Sequence, residues 1–160
     1  MRAFALFAAL SLSGAAFAAD LRPMKDPAQV AKVFPAAAKV RLVNLWATWC
    51  APCVAEMADL RAVDAAFGPE LALIGVSMDD MIPGTKQETV KSFLDRQKVS
   101  WPNVYFTGSP DLLGDHYQFD GQIPLTILYD ANGRELWRTQ GVVQKDDMIA
   151  RVREILRRKK

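Results

Sequence analysis

The chain has 160 residues, 51% hydrophobic and 24% charged, which suits one domain able to bury a core without metal or disulfide staples. Twenty Lys and Arg against 18 Asp and Glu leave a net charge of +2, too little to mark a nucleic-acid or membrane-surface partner. No repeat or low-complexity tract interrupts it.

Residues Met1 to Ala18 read as a secretory signal outside the fold. Arg2 is a thin positive start, Ala3 to Leu12 an apolar run, and Ala16-Phe17-Ala18 a small-x-small cleavage site. Removal after Ala18 leaves 19–160 as the domain. The apolar run falls short of the roughly 20 residues that span a bilayer, so an uncleaved anchor is the weaker alternative. No cysteine follows it to carry a lipid. Asp26-Pro27 then starts a helix, aspartate capping and proline in the first turn, with Ala28 to Phe34 as its body and Pro35 as its end.

Lys39 to Trp46 is rich in branched and aromatic residues and reads as a buried strand. Both cysteines follow in Trp49-Cys50-Ala51-Pro52-Cys53, and Val54 to Val63 continues as a helix. Zinc normally takes four ligands, and this chain has no third cysteine and one histidine. Haem attachment needs a histidine after the second cysteine, where Val54 stands. A dithiol at a helix start remains. The unpaired N–H groups and dipole there favour the Cys50 thiolate, so Cys50 is expected to be the exposed, low-pKa nucleophile and Cys53 the shielded resolving thiol. Pro52 suits the first turn. Glu56 lies one turn beyond Cys53 on the apolar arc of the helix. It is therefore expected to be partly desolvated, with a raised pKa, and to take the proton from Cys53.

Gly68-Pro69 breaks the chain before a second buried strand, Leu71 to Met78. Asp79-Asp80 at its end reads as a solvated pair rather than a cation site. Lys86 to Val99 is a helix with Val90, Phe93 and Leu94 on one face, and Trp101, Tyr105 and Phe106 lie in a segment packing over the core. His116 is expected at the surface of a short helix. Ile123-Pro124 opens an alternating run to Tyr129, Asn132-Gly133 turns it, and Arg134 to Thr139 returns. Gln144 to Arg158 is a last helix whose basic end, through Lys159 and Lys160, complements the helix dipole.

Val43 to Met57, with Trp49-Cys50-Ala51-Pro52-Cys53 at its centre, resembles the thioredoxin-like thiol:disulfide reductases of the TlpA/ResA/CcmG type. Gln122-Ile123-Pro124-Leu125-Thr126 is similar to that family's cis-proline loop, and Leu128 to Gly133 to the strand and hairpin after it. The likeness covers about residues 27 to 158. It implies an α/β thioredoxin fold, a central mixed β-sheet flanked by helices on both faces. It also implies that Pro124 is cis beside the sulfurs, that Trp49, Ile123 and Pro124 contact substrate, and that Pro52 and Asn44 support the site. Asn44 stands where thioredoxin proper has a buried aspartate. Ala58 replaces the usual kink proline, and the N-terminal hairpin of many relatives is hard to find.

The resulting expectation is a monomeric periplasmic thiol:disulfide oxidoreductase that needs no cofactor or metal beyond its Cys50–Cys53 pair. It would reduce disulfides in other secreted proteins, with apocytochrome c cysteines or copper-site thiols as the implied substrates. A membrane-embedded thiol donor would supply its electrons. Two alternatives keep the fold: an oxidant or isomerase, and a non-catalytic binding module with a static disulfide.

Overall fold

The computed structural model describes residues 18–158. The expected secretory signal as far as Phe17 lies outside the described residues, as do Lys159 and Lys160. Among the described residues no helix is long and apolar enough to cross a membrane.

Two strands make the centre. β2 (Val40–Trp46) is buried at every position but Arg41, and β3 (Leu71–Ser77) at every position. They pair in parallel and are covered on both faces, which is why each reads as an almost unbroken apolar run. On its other side β2 pairs antiparallel with β5 (Leu125–Asp130), and β5 with β6 (Glu135–Gln140) across the expected Asn132-Gly133 turn. Two strands absent from the sequence reading complete the sheet. β1 (Leu21–Met24) pairs in parallel with β4 (Asn103–Phe106), and β4 in parallel with β3. The six-stranded order is β1-β4-β3-β2-β5-β6. The segment of Tyr105 and Phe106 is thus part of the sheet, not a cover over the core.

Helices lie on both faces, as expected. α1 (Ala51–Phe67) runs straight on from Cys50 and buries Cys53, Glu56, Met57, Leu60 and Val63, the three-and-four spacing of one helix face. Cutting Leu60 to alanine there would cost about 2–5 kcal/mol. α4 (Lys145–Arg158) packs against α1 and β2. α2 (Gln87–Arg96) joins the same side, where Phe93 stacks on Trp46 at 5.7 Å. It is shorter than expected, because Lys98 turns to a φ of 54° just beyond it. On the opposite face α3 (Pro110–Tyr117) packs on a 3₁₀ helix at Pro27–Lys32. That segment was expected as an α-helix. Its Asp26 cap is in place, accepting from Ala28 N–H at 3.0 Å, but six residues ended by Pro35 favour the tighter, shorter form.

One glycine is fixed by packing. A Cβ at Gly75 would overlap Asn103 Oδ1 and crowd Trp46 Nε1. Those atoms meet across the bare backbone, the indole N–H donating to Asn103 at 3.1 Å while the asparagine amide donates to Trp101 O at 3.0 Å. This anchors Trp46, the last residue of β2, directly before the cysteine loop.

Candidate active site

Cys50 is the N-cap of α1 and Pro52 sits in its first turn. The cap geometry brings Cys53 N–H to 3.2 Å from Cys50 Sγ, and the two sulfurs are joined in a disulfide. Cys53 is 1% exposed and faces the core. Cys50 is itself only 6% exposed, so the expectation of an exposed sulfur needs correction. The loop before β5 covers it: the Ile123–Pro124 bond is cis, and the Ile123 carbonyl oxygen lies 3.7 Å from Cys50 Sγ. Access is from one side, where Trp49 stands 50% exposed. A groove of about 750 Å³ opens beside it, lined among others by Met78, Met81, Ile82 and Phe119.

Behind the cysteines Glu56 is buried to 1% exposure, further than the helical wheel indicated. Its Oε1 accepts from Asn44 Nδ2 at 2.8 Å and its Oε2 from the Val143 N–H at 3.0 Å. Asn44 also donates to Thr126 Oγ1 at 3.1 Å. Burial pushes the Glu56 carboxyl up to about 7, against the two hydrogen bonds that favour its ionised form, with Asp59 adding a smaller upward push. Desolvation wins because both donors are neutral and, among the described residues, no cation acts on the group. A carboxyl poised near neutrality one helical turn from Cys53 is placed to hold or release a proton.

Ahead of the cysteines lies a cluster the sequence reading missed. Asp79, expected in solvent, is fully buried. Both its carboxylate oxygens accept from the Thr48 N–H at 3.1 Å, one also from the Thr48 hydroxyl, and the other from Ser77 Oγ at 2.7 Å. The Met78 N–H closes the turn onto Trp46 O at 2.9 Å. Because Trp46 pairs with Ser77 in the β2–β3 register, Asp79 arrives level with Thr48. It clamps the loop that carries Trp49 and Cys50. Knowledge of the register would have found it; the acidic dipeptide alone could not. The Val143 donor is a backbone group and leaves no trace in residue type.

The structure therefore brings Cys50, Cys53, Pro52, Trp49, Ile123 and Pro124 to one place, with Glu56 and Asn44 directly behind. It does not bring His116 there. That side chain meets Tyr117 edge-on at 4.6 Å and lines a pocket on the other face of the sheet. Among the described residues no group of three or more His, Cys, Asp or Glu is arranged to hold a metal ion.

Residues 25–158 match the AhpC/TSA family. The chain belongs to that family. Among similar curated proteins, it is 28% identical to the thiol-disulfide oxidoreductase ResA of Oceanobacillus iheyensis over 71% of this chain and 56% of that one. It is 27% identical to the thiol:disulfide interchange protein HelX of Rhodobacter capsulatus, over 74% and 61%. The thioredoxin-like protein YneN of Bacillus subtilis is 33% identical over 38% of this chain and 35% of its own length. The chain thus spans about a third to three fifths of these relatives. Among solved structures, a DsbF homologue from Corynebacterium diphtheriae aligns with a TM-score of 0.63 at 22% identity, covering 72% of this chain and 71% of that one. StoA from Bacillus subtilis aligns at 0.59 and 20%, covering 71% and 81%. These likenesses establish the α/β thioredoxin fold for the family member described here.

Proposed function

We propose that this AhpC/TSA-family chain is a thiol:disulfide oxidoreductase that works as a reductant on disulfides of secreted proteins. The observation that carries the reading is a Cys50–Cys53 disulfide at the start of α1 facing a cis-proline loop across 3.7 Å. The names of the ResA and HelX relatives support it.

In the reaction, the Cys50 thiolate attacks one sulfur of a substrate disulfide, forming a mixed disulfide and expelling the first substrate thiolate. Cys53 then loses its proton to Glu56 and attacks Cys50 Sγ. The second substrate thiolate leaves, and the Cys50–Cys53 disulfide of this structure results. Trp49 and its groove hold the flanking polypeptide. The Ile123 N–H, which donates to nothing among the described residues, offers the substrate backbone a pairing site.

Direction follows from what surrounds Cys50. The Cys53 N–H and the helix start favour its thiolate, but Ala51-Pro52 adds no cation and the Ile123 carbonyl presents its negative end. A reduced form stabilised this weakly is a good electron donor. The potential is expected near the roughly −270 mV of thioredoxin rather than the roughly −120 mV of DsbA. Location outside the cytoplasm rests on the secretory signal. It is supported by the change from exposed Ala18 to buried Ala19, whose N donates to Asp95 Oδ1 at 2.6 Å. Cleavage after Ala18 would make that donor an α-ammonium. A reductant in an oxidising compartment needs resupply, so a membrane-embedded thiol donor completes the cycle, and apocytochrome c or copper-site thiols are fitting substrates.

The test is insulin reduction driven by dithiothreitol, with the potential set against glutathione. Cys50→Ser should abolish turnover, and Cys53→Ser should accumulate mixed disulfides. Unchanged turnover in Cys50→Ser would end the enzymatic reading. A potential above about −180 mV would reverse the direction.

A further inference from the structure

Between the 3₁₀ helix, the end of α3 and the sheet face opposite α1 lies a pocket of about 330 Å³ that the dithiol chemistry does not use. Val30 and Val43 give it an apolar floor, and Phe34, Arg41, Tyr117 and Tyr129 stand around it. Arg41 is near the start of β2 and the cysteines follow its far end, roughly 17 Å of strand away.

The polar groups of this pocket are not balanced. Arg138, which also lines it, is fully engaged. Its Nε donates to Glu135 at 2.6 Å, and its Nη1 to the carbonyls of Tyr117 at 2.8 Å and Gln118 at 3.3 Å. That fastens the end of α3 to β6 and uses the one carboxylate among the described residues that line the pocket. Arg41 has no such partner among the described residues. Its Nε is buried and donates to nothing, the one buried side-chain polar atom left so among the described residues. Its guanidinium rests 5.5 Å from the centroid of the Phe34 ring. Tyr117, 3% exposed, and Tyr129 line the same space, and their hydroxyls hydrogen-bond to no described residue. Burial raises both phenols, Tyr129 to about 12 and Tyr117 further, so both remain protonated donors at neutral pH.

An unpaired guanidinium, two protonated phenols, three aromatic rings and an apolar floor complement one chemistry: a carboxylate on a compact planar ring. We propose that this pocket binds a small aromatic carboxylate, its acid group on Arg41 and its ring among Phe34, Tyr117 and Tyr129. The volume is at the lower end of small-ligand sites, which suits a single-ring acid.

The test titrates the nitrogen-15-labelled oxidised protein with benzoate, with neutral benzamide and with inorganic phosphate. Benzoate should shift the amides of Val43, Tyr117 and Tyr129 saturably, and benzamide and phosphate should bind about tenfold more weakly or worse. Arg41→Met should lose about tenfold in benzoate affinity, and Tyr117→Phe several-fold, with insulin reduction unchanged in both. Tyr117→Phe alters one oxygen and keeps the test open if Arg41→Met does not fold. Absence of saturation at about 10 mM benzoate, equal binding of benzamide or phosphate, or benzoate affinity unmoved by both substitutions would each overturn the proposal.

Discussion

Two buried carboxyl groups flank the cysteines, Glu56 behind Cys53 and Asp79 ahead of Cys50, and they differ in what serves them. Glu56 receives two neutral donors from segments far apart in the chain, Asn44 in the sheet and Val143 before α4. Asp79 receives a backbone N–H and two hydroxyls, from Thr48 and Ser77 beside it. Burial pushes the Glu56 carboxyl up to about 7, and the bonds that Asp79 accepts from Thr48 and Ser77 fasten the loop before Cys50.

Removing Asp79 should break the comparison most sharply. Asp79→Ala strands the Thr48 N–H and two hydroxyls in the interior, and a loss of about 4 kcal/mol in urea unfolding is expected. Asp79→Asn, still an acceptor, should lose about half of that. A loss under about 1 kcal/mol for the alanine variant would mean the loop holds itself.

Glu56→Gln should act on pH dependence instead. With its carboxyl near 7 when folded and 4.5 when not, the folded chain binds the extra proton between those values. Wild-type stability is thus fullest below pH 4.5, falls as pH rises to about 7, and levels above it. The fall amounts to roughly 3 kcal/mol. Urea midpoints of Glu56→Gln should lose that slope, and its thiol-exchange rate should lose the matching inflection. An unchanged slope would assign the proton elsewhere.

The smallest effect belongs to a surface carboxylate. Asp95 is held below the usual range, first by the Ala19 N–H and then by Lys91. Asp95→Asn should lower the midpoint less than either buried change, and about 0.5 M salt should erase much of the difference. An effect as large as that of Asp79→Ala would show that exposure is a poor guide to the worth of these groups.

The sequence was most legible where a segment explains itself. β2, β3, α1 and the β5–β6 hairpin announce themselves by apolar runs, spacing and the Asn132-Gly133 turn. Cys50 and Cys53 needed only their separation and the elements on either side. β1 stayed hidden because it has four residues, one of them Pro23, and its pairing with β4 is visible only in three dimensions. Asp79 was misread because a strand-end acid is judged by its sequence neighbours, whereas Thr48 reaches it across a strand pair. The burial of Glu56 was legible because Cys53 lies on the same helix face. Its donors Asn44 and Val143 come from other parts of the fold, and local periodicity cannot supply them.

The sheet order leaves β1 and β6 at the two margins. Each is a poor template for another chain. β1 offers only four residues and lacks one amide proton at Pro23, and β6 carries the Glu135–Arg138 ion pair beside an irregularity in its pairing with β5. Under the function proposed above, the chain would meet partially folded proteins with exposed strands and must not be captured by them. Blunted margins would then leave the cleft at Trp49, rather than a sheet edge, as the place where such a chain settles and from which it departs once its disulfide is reduced.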